Sequence, residues 1–399
     1  MKAKTRFSSK PMTNKKSSWF GSILFGAALF LGSFPVLFWN EGRSLHRFQT
    51  LAEGRDVVVE NVSTEGISRE NEARLVHMTG FADAHEELTD PKFRVSANDV
   101  LKLKRTVEMY QWKQTSSGDE DSPPSYSRVW SARPISSANF KNRNKRNPNM
   151  PYESATQYAN RIQFGAFQLS RSLAESIDNW ERIDVTQALA ELPDTFKHKT
   201  VAHDQGFYVG SAPNQPQIGD LRIHFSVARP TDVSVIAQQA GQTFQKYAAK
   251  TVTGSIERLE VGSLSAGEMF THMETENTIL TWALRGTGAF MMFMGAMLIL
   301  DPIMRLLNFV PLAGRLATSA ITMVVMLSTV AMSVTTIAVA WMFYRPALSG
   351  ILLAIAGASV FAASRLFKSK AQTVTHDNVM EATAVENNVV EDSRITVVG

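Results

Sequence analysis

The sequence predicts a multipass α-helical membrane protein of four spans that carries a large, strand-rich α+β domain on the extracytoplasmic side. Three observations predict it. Charge interrupts residues 286–364 only at Asp301, Arg305, Arg315 and Arg345, leaving uncharged runs of 15, 29 and 19 residues at 286–300, 316–344 and 346–364. A further run, 17–40, is 24 residues long and uncharged. Between these blocks lie 244 residues (41–284) with short β-branched and alternating segments.

Each span follows from length. A helix needs about 20 mostly apolar residues to cross the hydrocarbon core. The run 17–40 follows six basic residues (Lys2, Lys4, Arg6, Lys10, Lys15, Lys16) in the tail 1–16. It is longer than a signal-peptide core, and no small-residue cleavage site follows, so it reads as a retained anchor. Trp19 and Trp39 sit near its ends, as an aromatic belt requires. The second span, 281–300, reaches full length by including Thr281 to Leu284, with Arg285 snorkelling toward headgroups. The third and fourth spans are 316–344 and 346–364. The loop 301–315 is apolar between its charges and reads as a cytoplasmic interfacial segment. The tail 365–399 turns acidic after Lys370 and reads as disordered.

Orientation follows from the basic clusters. Lys and Arg concentrate on cytoplasmic flanks. The N-terminal cluster and the group Arg365, Lys368 and Lys370 independently place both termini in the cytoplasm. Residues 41–284 then lie outside: periplasmic in a bacterial inner membrane, lumenal in the endoplasmic reticulum or inner nuclear membrane of a eukaryote.

Bulk composition narrows the function classes. The 399 residues contain no cysteine, which excludes a disulfide framework, Cys-ligated zinc and thiol catalysis. The formal net charge is +4, yet residues 41–284 hold 27 Lys/Arg against 31 Asp/Glu. The basic excess is a membrane-flanking tail, which argues against nucleic-acid binding.

Within 41–284, the segments 56–60, 74–78, 101–112, 220–227 and 232–239 read as strands. In 101–112, Leu101, Leu103, Arg105, Val107, Met109 and Gln111 share one face. The spacing of Leu169, Leu173, Ile177 and Trp180 predicts a helix. Residues 116–125 form a polar Gly/Pro loop, and a turn through Arg229 and Pro230 separates the last two strands. Ser265 to Glu268 is a capping-box pattern that starts a helix running into the second span.

Candidate chemistry is sparse. His198, His203 and Asp204, or His85 with Glu86 and Glu87, have metal-ligand chemistry but lack a third ligand at proper spacing, and read as solvated residues. Arg69 and Arg74 with Glu70 and Glu72 read as ion pairs of a β layer rather than a catalytic set. There is no HExxH, nucleophile elbow or P-loop. No catalytic, cofactor or metal residue is assigned. The basic run Lys141, Arg143, Lys145 and Arg146 reads as a solvated loop, with an acidic partner or lipid headgroups as the alternative. In the fourth span Gly350, Ala354, Ala358 and Ala362 form a small-residue ridge for packing either a neighbouring span or a second copy. The hydroxyls of the third span read as helix-packing groups, not a polar path. Finally, Trp39, Asn40, Glu41, Gly42 and Arg43 form a junction motif. Trp39 anchors at the interface, Gly42 lets the chain turn, and Glu41 and Arg43 pair with each other or with Arg285 and Glu276.

Several stretches in order resemble the LUMA family, also called the transmembrane protein 43 family. They are Trp39-Asn-Glu-Gly-Arg-Ser44, Leu51-Ala-Glu-Gly54, Glu70-Asn-Glu-Ala-Arg-Leu-Val-His77, Val107-Glu-Met-Tyr-Gln-Trp112, Gly219-Asp-Leu-Arg222, Val235-Ile-Ala-Gln-Gln239 and Phe343-Tyr-Arg-Pro346. The resemblance implies an endomembrane protein that organises membrane protein complexes, at the inner nuclear membrane in animal members. Relatives also occur in bacteria, and the bacterial or other distant branch is where this chain is expected to fall. It brings no catalytic residues. The acidic tail after Lys370 is longer than expected of animal members. The functional expectation is a noncatalytic scaffold whose partners are the bilayer, membrane or extracytoplasmic proteins and a second copy of itself. Lipid binding or processing is the alternative, and transport a weaker one.

Overall fold

The computed structural model describes residues 16–116, 123–197, 199–307, 313–347, 350–351 and 354. Contacts divide the chain into a helical unit (residues 1–45 and 277–399) and a strand-rich unit (residues 46–276).

Among the described residues, three helices are long and apolar enough to cross a membrane: Phe20–Val57, Ala266–Leu307 and Ala317–Tyr344. They belong to α1 (Lys16–Val57), α4 (Ala266–Leu307) and α5 (Ala313–Tyr344). The tail 1–15, most of the fourth span and the tail 365–399 lie outside the described residues. In the helical unit, α1 and α4 approach along matching stripes. A Cβ at Gly26 would meet Leu298 Cβ at 2.8 Å and the Gly295 carbonyl at 2.9 Å. One at Gly295 would meet the Phe30 backbone nitrogen at 2.6 Å, and one at Gly288 would meet Leu37 at 2.6 Å. Glycine here permits backbone contact between helices, the use small residues have in bilayers.

Helix α4 begins with a capping box. Ser265 Oγ accepts from the Glu268 amide at 3.3 Å, and Glu268 Oε2 accepts from the Ser265 amide at 2.9 Å. The helix then runs through Pro302 to Leu307, so the expected loop 301–315 is largely two helix ends. The i,i+4 pair of Arg305 with Asp301 at 2.8 Å supports that extra turn.

The strand-rich unit takes its strands in the order β1 (Leu75–Asp83), β2 (Glu87–Thr89), β3 (Ser96–Asn98), β4 (Lys102–Thr115), β5 (Ser125–Ser131), β6 (Ala155–Tyr158), β7 (Gln163–Phe164) and β8 (Phe167–Gln168). Helix α2 (Arg171–Ser176), β9 (Trp180–Ile183) and α3 (Asp194–Lys197) follow. Then come β10 (Thr200–His203), β11 (Gly206–Val209), β12 (Leu221–Ala228), β13 (Thr231–Ala240), β14 (Thr243–Gln245), β15 (Tyr247–Ala248), β16 (Ser255–Ile256) and β17 (Arg258–Val261). One sheet is ordered β14-β13-β1-β7-β8, with β17 also on β13. The other is ordered β10-β11-β12-β4-β5, with β6 on β4 and β9 on β12. The Arg229–Pro230 turn therefore joins strands of different sheets.

Three apolar clusters follow from this layout. Val76, Met78, Phe164, Leu173, Val235 and Phe244 fill the first sheet's core. Phe93, Val107, Phe207, Ile223 and Phe225 fill the second's. Leu51 of α1 and Phe270 and Met273 of α4 pack with Leu75, Ile236 and Ile256 in the third.

Two expected elements are corrected. Residues 56–60 are not a strand: α1 continues to Val57, and only a Val59–Val76 bridge follows. The helix expected over 169–180 covers only Arg171–Ser176, and Trp180 opens β9. Its spacing marks a buried face, since Leu169, Leu173 and Ile177 are all buried. Its length is cut by Lys102, whose ammonium donates to the carbonyls of Ala174 and Glu175 at 3.1 Å and of Ile177. A cation on the last carbonyls ends a helix as a C-cap does.

Candidate functional site

Among the described residues of the helical unit, a cluster of polar side chains centres on the junction motif, which lies within α1. The chain does not turn there. Gly42 is instead a contact point, because a Cβ would meet Tyr344 Cζ at 2.5 Å and its hydroxyl at 2.7 Å. Trp39 faces outward, while Asn40 and Glu41 are buried.

Glu41, only 5 % exposed, pairs with Arg285 rather than with Arg43. Arg285 Nε donates to Glu41 Oε1 and Nη2 to Oε2, both at 2.7 Å, a bidentate fork. The indole of Trp341 donates to Oε2 at 2.8 Å. One carboxylate thus ties α1, α4 and α5 together. With both oxygens occupied by strong donors, it is built as a fixed acceptor rather than as a base. Glu276 pairs with Arg258 inside the strand-rich unit, at 2.5 Å.

Arg43 is held by neutral groups. It donates to Asn277 Oδ1 at 3.0 Å, Thr281 Oγ1 at 3.1 Å and Asn40 Oδ1 at 3.3 Å. Its Nε is buried without a hydrogen-bond partner. Asn40 Nδ2 donates to the Thr281 carbonyl at 3.1 Å, and Asn277 Nδ2 to the Ser44 carbonyl at 3.0 Å. On α1 these groups stand at 40, 41, 43 and 44; on α4 at 277, 281 and 285. The α4 residues are one turn apart and share a face.

Asn277, Thr281 and Trp341 belong to no motif in the sequence that marks a site, and Tyr344 enters only within the family stretch 343–346. The available signal was the run of polar residues at helical spacing just before the second apolar run. Of the ridge, Gly350 and Ala354 are exposed, and Ala358 and Ala362 lie outside the described residues. Of the histidine sets, His85 lies 3.5 Å from Asp83 and 3.8 Å from Asp99 on the surface, and Asp204 pairs with Arg182 at 3.0 Å. His198 is outside the described residues. Among the described residues no three His, Asp or Glu side chains gather as metal ligands.

Comparison with known proteins gives a consistent picture. A family model described as "Transmembrane protein 43" matches residues 109–346. The chain is 33% identical over 353 residues to transmembrane protein 43 of Rattus norvegicus, covering 83% of this chain and 86% of the relative. It is 32% identical to that of Homo sapiens, covering 86% and 90%. It is 29% identical to the homolog of Drosophila melanogaster, covering 85% and 92%. No solved structure matches significantly.

Proposed function

The chain belongs to the transmembrane protein 43 family, and from that premise we propose that it is a noncatalytic integral membrane scaffold whose strand-rich unit docks protein partners. The observation that carries this reading is the Glu41–Arg285–Trp341 tie. The buried carboxylate of the helical unit is spent on holding helices from both ends of the chain together. We further propose four spans with both termini cytoplasmic and residues 41–284 extracytoplasmic. The flanking basic clusters support this orientation.

The test is crosslinking in native membranes followed by mass spectrometry. The expected result is a small recurrent set of membrane or extracytoplasmic proteins, crosslinked through residues 46–276. Recovery of the chain without such partners overturns the scaffold reading. So does substrate turnover by the purified chain that one substitution abolishes.

A second reading, lipid binding, is favoured by Arg43, which has neutral partners and a buried Nε without an acceptor. Lipid mass spectrometry of the purified chain separates the two. An enriched anionic lipid that disappears in Arg43→Gln supports lipid binding, and an unselective lipid profile removes it.

A further inference from the structure

The second sheet of the strand-rich unit carries a cationic–aromatic surface that the helical cluster does not involve. In the β4–β5 register Tyr110 stands opposite Trp130, and Trp112 opposite Arg128. In the β12–β4 register Arg222 stands opposite Glu108. These residues share the face away from the buried one, because Val107, Met109 and Gln111 alternate inward.

Rings and cations on this face are already stacked. Arg222 lies over Trp130 at 4.0 Å and Lys145 over Trp112 at 3.7 Å. Arg128 sits 5.9 Å from the Tyr110 ring and 5.8 Å from Trp112. The basic run that brings Lys145 here is stitched down rather than loose. Asn147 accepts from the Trp112 amide at 2.7 Å, and Tyr126 Oη and Gln114 Oε1 accept the amides of Asn142 and Lys141. Lys141 and Arg143 extend from the same run, exposed.

What the cations of this face lack is a paired anion, even though Glu108 stands across from Arg222. Among the described residues no carboxylate lies within ion-pair distance of Arg128, Lys145 or Arg222, and Arg222 Nε is buried without a hydrogen-bond partner. Asp220 is occupied, accepting from Tyr208 Oη at 2.6 Å and from the Gln217 amide at 2.8 Å. Cations already lie over the Trp112 and Trp130 rings. A guanidinium over a ring can still donate to a carboxylate through its N–H edge. Beside this face β5 has a strand on one side only among the described residues, and an open edge accepts an extended chain by backbone pairing.

We propose that this face binds an extended acidic peptide segment of a partner protein, with Arg128, Lys145 and Arg222 as the carboxylate-reading residues. The proposal rests on the scaffold reading and names the class of partner that the strand-rich unit takes.

The test uses the full chain in phosphatidylcholine nanodiscs and fluorescein-labelled octaglutamate, with octaserine as the neutral probe. Octaglutamate is expected to bind more tightly than octaserine and to weaken with salt. Its Kd should rise about tenfold or more in Arg128→Glu/Lys145→Glu, stay unchanged in Lys246→Glu, and the reversed face should gain affinity for octalysine. If the double variant does not fold, the single Arg128→Gln and Lys145→Gln variants read the same loss on a smaller scale. Octaglutamate binding no better than octaserine, or equally to all variants, overturns the proposal. Capture of phosphatidylserine vesicles that depends on Arg128 and Lys145 and displaces the peptide also overturns it, in favour of lipid. Failure here together with crosslinked partners at other strands leaves the scaffold reading standing. Loss of all crosslinked partners removes both.

Discussion

At the scale of the residue, two buried charges are handled in opposite ways. Glu41 meets a full counter-charge, with Arg285 in a fork and Trp341 on its second oxygen. Removing one member of such a pair leaves an uncompensated buried charge, which costs on the order of 3 kcal/mol. Glu41→Gln and Arg285→Gln are each expected to lower the melting midpoint of the full chain in detergent, and the double variant to lose less than the sum. Strict additivity would refute the coupling. Lys102 instead has no carboxylate among its hydrogen-bond partners. Its ammonium sits on the last carbonyls of α2 and between the rings of Trp180, at 4.8 Å, and Tyr158, at 5.4 Å. Burial pushes it down from 10.5 to about 8. Between those values the unfolded chain binds more protons than the folded one, so stability from this residue rises with pH through that window, by at most about 1.4 kcal/mol per pH unit. Denaturation of the full chain and of Lys102→Met at pH 7, 8, 9 and 10 should show the difference moving in favour of the natural residue as pH rises. A constant difference removes the claim.

At the scale of the element, the α1–α4 pair depends on glycine where backbones touch. At Gly26 and Gly295 a Cβ would fall under 3 Å from the backbone of the facing helix, whereas at Gly32 it would meet nothing within 4 Å. Overpacking costs about 1–3 kcal/mol. Gly26→Ala and Gly295→Ala should therefore lower the melting midpoint, and Gly32→Ala should leave it in place or raise it slightly. Equal effects at all three would show that the crossing is not the constraint. Local signals read these elements unevenly. The capping box at Ser265 to Glu268 was legible because each partner lies within one turn of the other. The alternation over 101–112 was legible because a half-buried strand repeats every two residues. The end of α1 was not: Asp56 to Glu60 has strand composition, but Leu51 and the residues beyond it pack on Leu75 and Phe270, distant in sequence. The shortness of α2 is not legible locally for the same reason, since its terminating cation comes from β4.

At the scale of the whole molecule, the proposed topology has a direct check, because the chain has no native cysteine. Single cysteines at Ser117, Asn308 and Ser393, probed with an impermeant maleimide on intact cells or right-side-out vesicles, should react only at Ser117. Labelling at Asn308 would reverse the orientation of the second and third spans. Hydropathy and basic flanks suffice to frame this experiment, because lipid imposes the same length requirement on every crossing helix.

Membership of the LUMA family, the apolar helices and the presence of a strand-rich domain were determined by sequence alone. Each rests on residues close together in the chain or on motifs in fixed order. Only the tertiary structure decided which partners the charges of the junction motif take. Arg43 and Arg285 both offered a counter-charge to Glu41, and Glu276 offered one to Arg43; charge has no periodicity that ranks a neighbour in sequence against a partner more than 200 residues away. The helix pairing set by Gly26, Gly288 and Gly295 brings Arg285 to Glu41 and leaves Arg43 to Asn277 and Thr281, while Glu276 pairs with Arg258 within the strand-rich unit.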